Sequence, residues 1–126
     1  MFQILLSGYW WLAIEGNPIG YWPSTIFTGL ATAATNVQWG GEIFDSALLK
    51  DHTTTQMGSG RFPSEGFGKA SYFKNIATMD KSSRPKDINH LNPHVTNPGC
   101  YDLQLDPSNT PKYFYYGGPG FSYNCR

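Results

Sequence analysis

Hydrophobic and polar positions in this chain alternate over short runs, and few stretches follow a helical period. Residues 9–15 carry apolar side chains on both faces and end at a Gly-Asn-Pro turn, a pattern that predicts a strand. Residues 101–106 alternate with a period of two, which predicts a strand with one solvated face. We predict further strands at 70–79 and 113–116 and a short extended piece at 19–23, so the pattern indicates a mostly β protein.

The remaining stretches predict one helix, one interrupted strand and two loops. A brief helix is expected from about Thr25 to Ala34, because Ser24 can cap it and the apolar residues that follow fall at helical spacing. Val37 to Phe44 is predicted as a strand with a bulge at its glycine pair. Residues 51–69 contain no long periodic run, and a Gly-rich passage of this length in a compact domain is more often functional. Residues 81–99 are polar and Pro-rich, so we expect them on the surface.

Composition agrees with a strand-rich fold. Aromatic residues make up 16% of the 126 residues and charged residues only 14%, with 14 glycines and 9 prolines. This mixture is poor in strong helix formers and is typical of short strands joined by tight turns. The length fits one domain, and we find no internal repeat and no interdomain linker.

The charge pattern excludes two classes of partner. Nine basic and nine acidic residues cancel, and the basic ones are scattered, so we expect neither nucleic-acid binding nor attachment to a membrane surface. No run reaches the roughly 18 apolar residues of a membrane span. Residues 1–6 lack a basic leader and a cleavage site, so this chain shows no signal peptide. We expect either another route of export or a different natural start.

Two cysteines, Cys100 and Cys125, lie in the last quarter of the chain. A pair of free thiols is one interpretation. Their setting favours a bridge, since both lie in aromatic sequence rich in Pro, Gly and Asn at the ends of one segment. Such a disulfide would stabilise the fold by roughly 3–4 kcal/mol on the loop-entropy argument. It would also imply an oxidising compartment.

The segment Trp39-Gly40-Gly41-Glu42 is the strongest candidate for chemistry. Its two glycines permit a sharp bend or the close approach of another group. The tryptophan adds a wall of low polarity, and a carboxyl group beside such a wall tends to have a raised pKa, which suits acid–base chemistry. From the residues alone, a bulge followed by a surface acid is the alternative.

Other constellations favour ordinary structural roles. His90 and His94 lie four residues apart, but a proline between them argues against the helix that this spacing needs. We therefore interpret both, with His52 upstream, as loop histidines, and we expect no metal site and no cofactor. No Ser-His-acid order of a serine hydrolase can be assembled. Most aromatic side chains are expected in the core.

Six blocks of this sequence form an ordered set: Gly20–Pro23, Trp39–Glu42, Thr55–Gly60, Phe62–Tyr72, Cys100–Asp102 and Phe114–Gly120. Together these blocks resemble the neprosin family, plant proteins named for a glutamic peptidase of pitcher-plant digestive fluid. The likeness runs over nearly the whole chain from about Gly8.

The resemblance implies an all-β fold, an antiparallel β-sandwich of lectin-like or jelly-roll type, here a partial sandwich with one short helix. It implies a secreted, extracellular endopeptidase that cleaves peptide or protein substrates at acid pH with a preference after proline. One of the family's two catalytic glutamates lies in the Trp-Gly-Gly-Glu block, which assigns catalysis to Glu42. We assign substrate binding to Trp39, beside which the glycines open space, and to Gln56 in the Thr55–Gly60 block.

The family's other glutamate lies in the first half of its domain, before anything present here. We therefore expect residues 1–126 to be the C-terminal portion of a neprosin domain, whose partner is the missing N-terminal half. Hydrolysis by paired carboxyls needs one ionised and one protonated group facing each other across the scissile bond, so we expect no activity from this chain alone. Glu65 is the alternative partner for Glu42, whereas Glu15 is expected in solvent.

Two other interpretations stay open. A non-catalytic binding module could use the concave face of the sandwich for a wall polysaccharide or a peptide, as the aromatic content suggests. The chain could also come from a truncated gene model and have no independent role. A sandwich cut through its sheets exposes strand edges and one side of its core, so we expect low solubility or self-association.

Overall fold

Short strands and turns account for the regular structure of this protein. A computed structural model describes residues 2–4, 8–45, 52–80, 82, 84–106 and 113–125. The described residues form antiparallel sheets with almost no helix, which confirms the predicted all-β class of a partial sandwich. The strands are β1 (Phe2–Ile4), β2 (Tyr9–Ile14), β3 (Asn17–Pro23), β4 (Ser71–Lys74), β5 (Ala77–Met79), β6 (Pro85–Asp87), β7 (Asp102–Leu105) and β8 (Tyr113–Gly117).

The chain divides into two compact units. The first consists of Met1–Gln38 and Ala77–Asp87, and the second of Trp39–Ile76 and Ile88–Arg126. Strands β1, β2, β3, β5 and β6 belong to the first unit, and β4, β7 and β8 to the second. All residues that the sequence assigns to catalysis, substrate binding or the disulfide lie in the second unit.

The first unit is built on a three-stranded meander in the order β1-β2-β3. A tight turn joins β2 to β3, and both of its residues have a positive φ, 51° at Glu15 and 79° at Gly16. Gly16 adopts this left-handed conformation without strain because it has no Cβ. Trp10 in β2 is buried, and its indole N–H donates to the carbonyl of Leu30 at 2.8 Å. The strand predicted over 9–15 and the extended piece predicted over 19–23 are both confirmed, as β2 and β3.

The predicted helix from Thr25 to Ala34 is wrong. The structure has only a single 3-10 turn, Ser24–Ile26, at this point. The residue at the N-cap is Pro23, and no side chain caps the turn. The residues beyond the turn include Thr28, Gly29 and Thr32, and glycine and threonine favour a helix less than alanine does. The Leu30 carbonyl accepts the Trp10 indole hydrogen bond instead of an amide of the next helical turn.

Two predicted strands differ from the structure. Val37 to Phe44 forms no strand, because a glycine pair offers no side chains to pack on a sheet and the segment is held by other contacts described below. The predicted strand 70–79 is two strands, β4 and β5, broken at Asn75 with a φ of 54°. Asparagine tolerates this left-handed conformation better than most residues. β5 pairs with β6, which lies in the 81–99 stretch predicted for the surface.

The second unit contains a sheet in the order β4-β8-β7, with both neighbours antiparallel to β8. Phe114 in β8 is only 2% exposed and stacks on Phe73 of β4 at a centroid distance of 5.4 Å. The predicted strands at 101–106 and 113–116 correspond to β7 and β8. Within the described ranges, no helix has the length and apolar character needed to cross a bilayer.

Candidate functional site

Within the second unit, the segment that carries Glu42 packs at Gly41 against side chains from other parts of the unit. A Cβ on Gly41 would lie 2.6 Å from Cγ of Met57 and 3.2 Å from Cε2 of Tyr116. Both distances are shorter than ordinary carbon–carbon contacts. Gly41 therefore permits the backbone beside Glu42 to approach two side chains that come from distant parts of the sequence.

On the other side of Glu42 the segment is also anchored. Ile43 packs against the buried cluster of Cys100, Tyr101 and Cys125. Two residues later, a carboxylate oxygen of Asp45 accepts a hydrogen bond from the backbone N–H of Thr53 at 3.1 Å. The chain is thus fixed immediately before and after the candidate catalytic residue.

Glu42 itself is exposed, whereas Trp39 is half-buried. Within the part of the chain that the structure describes, the Glu42 carboxyl has no hydrogen-bond or ion-pair partner. A fixed backbone that carries a free, accessible carboxyl group is an arrangement that can offer an oxygen to a ligand or take up a proton.

Met57 connects this segment to the Gly-rich passage and to the end of β8. Its N–H donates to the Gly118 carbonyl at 3.0 Å, and the Gly118 N–H donates back at 3.3 Å. The Gly60 N–H also donates to the Met57 carbonyl at 3.1 Å. Since the Met57 side chain lies on Gly41, one residue joins three parts of the unit.

Gln56 is exposed and lies next to this junction. A Cβ on Gly60 would come within 2.6 Å of the Gln56 Cδ atom, so the amide side chain lies over the Gly60 backbone. Gly60 has a φ of 73°, which favours glycine for a second reason. The structure brings the segments of Glu42 and Gln56 together through Met57, and it shows no direct bond between the two side chains among the described residues.

The other two glutamates occupy different surroundings. Glu65 ends the 3-10 turn Pro63–Glu65, and its Oε2 lies 3.7 Å from an Arg61 guanidinium nitrogen. The pair lies in an open cavity of about 340 Å³ that Lys69 also lines. Glu15 is exposed at the turn between β2 and β3, in solvent as predicted.

The predicted disulfide is present. Cys100 and Cys125 are bonded, with 0% and 2% of their surface exposed. Next to them, the Tyr101 hydroxyl donates to the Thr55 carbonyl at 2.8 Å. Burial raises the pKa of the Tyr101 phenol, and the negative charge of Asp45 raises it further. The bridge and Tyr101 thus form the buried cluster on which both Ile43 and Met57 pack.

Histidines offer little to a metal in the described part of the chain. The one cluster with suitable donor atoms is His52 with Cys100 and Cys125, within 4.8 Å of one another. Both sulfurs are bonded to each other, so only the imidazole is left as a ligand. His90 and His94 are exposed, in accord with the sequence interpretation.

An open groove of about 520 Å³ was not foreseen from the sequence. Phe67, Ser71, Tyr72 and Tyr116 are among the residues that line it. The sequence predicts Tyr116 in a strand and in one of the family blocks, with no role in a groove. The signal that could have found the groove is the Phe67 side chain, which is apolar yet lies in a Gly-rich passage without periodicity.

The comparison with protein families agrees with the blocks that the sequence contains. A sequence model of the Neprosin family matches residues 1–119 of this chain, which is 126 residues long. The match includes Trp39, Glu42 and Gln56 and the whole groove. The chain therefore belongs to the neprosin family and is a member of a peptidase family.

Proposed function

We propose that this chain is the C-terminal part of a glutamic endopeptidase domain in which Glu42 supplies one of two catalytic carboxyls. The observation that carries the proposal is the anchoring of the Glu42 segment. Gly41 lies against Met57 and Tyr116, Ile43 packs on the buried cluster, and the carboxyl between them is exposed. A catalytic group needs such a fixed position and an accessible functional atom.

In this mechanism, two carboxyl groups face each other across the scissile peptide bond. The ionised group takes a proton from the attacking water, and the protonated group assists the carbonyl oxygen or the leaving nitrogen. Glu42 takes one of these roles. By family resemblance, the other glutamate belongs to the first half of the neprosin domain, so residues 1–126 by themselves are expected to be inactive.

The proposed substrates are peptides or proteins, cleaved after proline at acid pH in an extracellular compartment. Substrate class, pH and proline preference come from the family resemblance. The buried disulfide supports an oxidising, extracellular location, because such bonds persist there and are rare in reducing compartments. Trp39, in the anchored segment, and Gln56, next to Met57, are proposed to contact the substrate.

The test is digestion of a proline-rich peptide at acid pH, with the chain alone and with the first half of a neprosin domain supplied in trans. We expect no cleavage by the chain alone and cleavage after proline by the mixture. Glu42→Gln is expected to lower the rate of the mixture at least about a hundredfold, the range for loss of a general acid or base.

Glu65→Gln is the matched control, because it makes the same carboxyl-to-amide change in the same unit. This variant is expected to retain activity in the mixture. Turnover by the chain alone that Glu42→Gln leaves unchanged would contradict the proposal. Loss of turnover with Glu65→Gln, but not with Glu42→Gln, would transfer the catalytic role to Glu65.

A binding module is the second candidate function, and one observation on the first unit favours it. Tyr21 contacts Tyr9 and Trp11 with centroid distances of 4.7 and 5.0 Å, and it is 52% exposed. Among the described residues, the buried Trp11 indole N–H has no hydrogen-bond partner. Sugar or peptide binding that survives Glu42→Gln but is lost with Tyr21→Ala would favour this function over catalysis, because Tyr21 lies in the first unit and Glu42 in the second.

A further inference from the structure

The groove of about 520 Å³ has aromatic walls that stand in solvent. Phe67 is 78% exposed and Tyr72 is 41% exposed. Their rings lie 5.8 Å apart at 45°, and Tyr72 meets Tyr115 edge-on at 6.1 Å. These exposed ring faces suit a flat apolar group, and Lys69, which also lines the groove, adds one positive charge at its border.

The register of the sheet decides which rings face the groove. Tyr72 pairs with Tyr115 and contacts its ring, whereas Phe73, the next residue of β4, contacts the ring of Tyr116. Successive side chains of a strand point to opposite faces of the sheet, so the Tyr72 and Tyr116 rings lie on opposite faces. The aromatic walls of the groove therefore come from Phe67 and Tyr72.

The strand beside the groove is suited to an extended peptide. Among the described strands, β4 pairs with β8 on one side only, at Ser71 with Tyr116 through Lys74 with Tyr113. In an antiparallel pair, alternate N–H and C=O groups of an edge strand point away from the partner strand. Extended peptides add to such edges through main-chain hydrogen bonds and place alternate side chains in neighbouring pockets.

We propose that this groove is a specificity subsite that receives an aromatic side chain of an extended peptide substrate. Phe67 and Tyr72 form its walls, and β4 hydrogen-bonds the peptide backbone. The assignment rests on the proposed peptidase function and adds a side-chain preference to it.

The experiment measures binding without turnover. Two end-blocked octapeptides, identical except for a central phenylalanine or alanine, are titrated into the full chain, and affinity is measured by fluorescence anisotropy. We expect the phenylalanine peptide to bind more tightly. Phe67→Ala and Tyr72→Ala are each expected to reduce that preference roughly three- to tenfold, the range for loss of one aromatic pair. N-methylation of alternate backbone amides in one register is expected to abolish binding.

Phe121→Ala is the control, since Phe121 is also an exposed phenylalanine of the second unit but does not line the groove. It should leave the preference unchanged. Because Phe67 is mostly exposed, its replacement should leave the circular dichroism spectrum intact. Equal affinity for the two peptides, or equal losses with Phe67→Ala and Phe121→Ala, would overturn the subsite.

Glu42→Gln separates this subsite from the proposed function. It should abolish turnover in the mixture with the first half of the domain while it leaves peptide binding to the groove unchanged. A ring preference without any Glu42-dependent turnover would sustain the subsite and refute the peptidase. Glu42-dependent turnover without a preference for the phenylalanine peptide would support the peptidase and refute the subsite.

Discussion

Single residues at the Glu42 segment have roles that depend on atoms far away in the sequence. Gly41 is the clearest case, because a side chain at this position would occupy the space of Met57 and Tyr116. The Met57 backbone forms hydrogen bonds with Gly118, the residue after β8, so a substitution at Gly41 that displaces Met57 also affects the end of β8. The position of the candidate catalytic carboxyl is therefore set by a glycine that carries no functional group.

Replacement of Gly41 by alanine is predicted to destabilise the chain by about 1–3 kcal/mol, the range for overpacking. The physical reason is the 2.6 Å approach of the new Cβ to the Met57 Cγ atom. Urea unfolding measures the change. Gly29→Ala is the matched control, with open space around its Cβ and no strained backbone, and it should change stability by less than about 0.5 kcal/mol. Equal effects of the two substitutions would contradict the packing argument.

The Tyr101 phenol is expected to make the stability of the folded chain depend on pH. Its pKa is raised by burial and then by the charge of Asp45, so the folded state holds the phenolic proton more tightly than the unfolded state does. The stability that this provides is fully present below the unfolded pKa of about 10 and is lost as pH rises through the folded pKa. Unfolding in urea between pH 8 and pH 11 measures the loss.

Tyr101→Phe is expected to remove part of that alkaline loss. At neutral pH the free energy of unfolding of the variant should be lower by about 0.5–1.5 kcal/mol, because the variant lacks the hydrogen bond from the hydroxyl to the Thr55 carbonyl. An alkaline loss of the same size in the variant and in the parent chain would rule out Tyr101 as its source.

At the scale of elements, the disulfide and the strands around it hold the site together. Cys100 and Cys125 are 25 residues apart in sequence, and the buried cluster they form supports Ile43 and Met57. Next to the bridge, Gly118 lies against the Cys100 carbonyl so closely that only a glycine fits. The bridge thus supports both segments whose contact positions Glu42.

Loss of the bridge in a Cys100→Ala/Cys125→Ala variant is predicted to lower stability by about 2–4 kcal/mol. We also expect faster hydrogen exchange at the amides of Gly41 to Phe44, because Ile43 loses its packing partner. Reductant should lower the stability of the parent chain and leave the double variant unchanged. Hydrogen exchange at residues 41–44 that is unchanged by removal of the bridge would show that the disulfide does not stabilise this segment.

At the scale of the whole molecule, large apolar side chains remain in contact with solvent. Phe44, Ile14, Ile19 and Ile26 are each more than half exposed, with Phe44 at 89%. Only a few residues in the described part of the chain are buried, and the largest fully buried side chain is Phe114. Such a surface favours association with another apolar surface.

The isolated chain is accordingly predicted to self-associate at micromolar concentration. Sedimentation velocity at several concentrations measures this, and the apparent mass should rise with concentration. Supply of the first half of a neprosin domain is expected to reduce self-association if the two halves cover each other's apolar faces. A monodisperse monomer with one cooperative thermal transition would count against a partial domain.

Local pattern was sufficient for four strands. Strand β7 follows from period-two alternation, and β2, β3 and β8 follow from short apolar or aromatic runs that end at Gly or Pro turn residues. The setting of the two cysteines predicts the disulfide, and blocks of residues that keep their order predict the family. The catalytic role of Glu42, which rests on the same blocks, stays a prediction.

Tertiary contacts decided the rest. Where a helix was expected from Thr25, the Leu30 carbonyl bonds the Trp10 indole, and where a strand was expected from Val37, Gly41 packs against Met57 and Tyr116. Neither partner can be read from the local sequence. The groove joins Tyr116 of β8 to residues 67–72, a proximity that arises only when β4 and β8 pair.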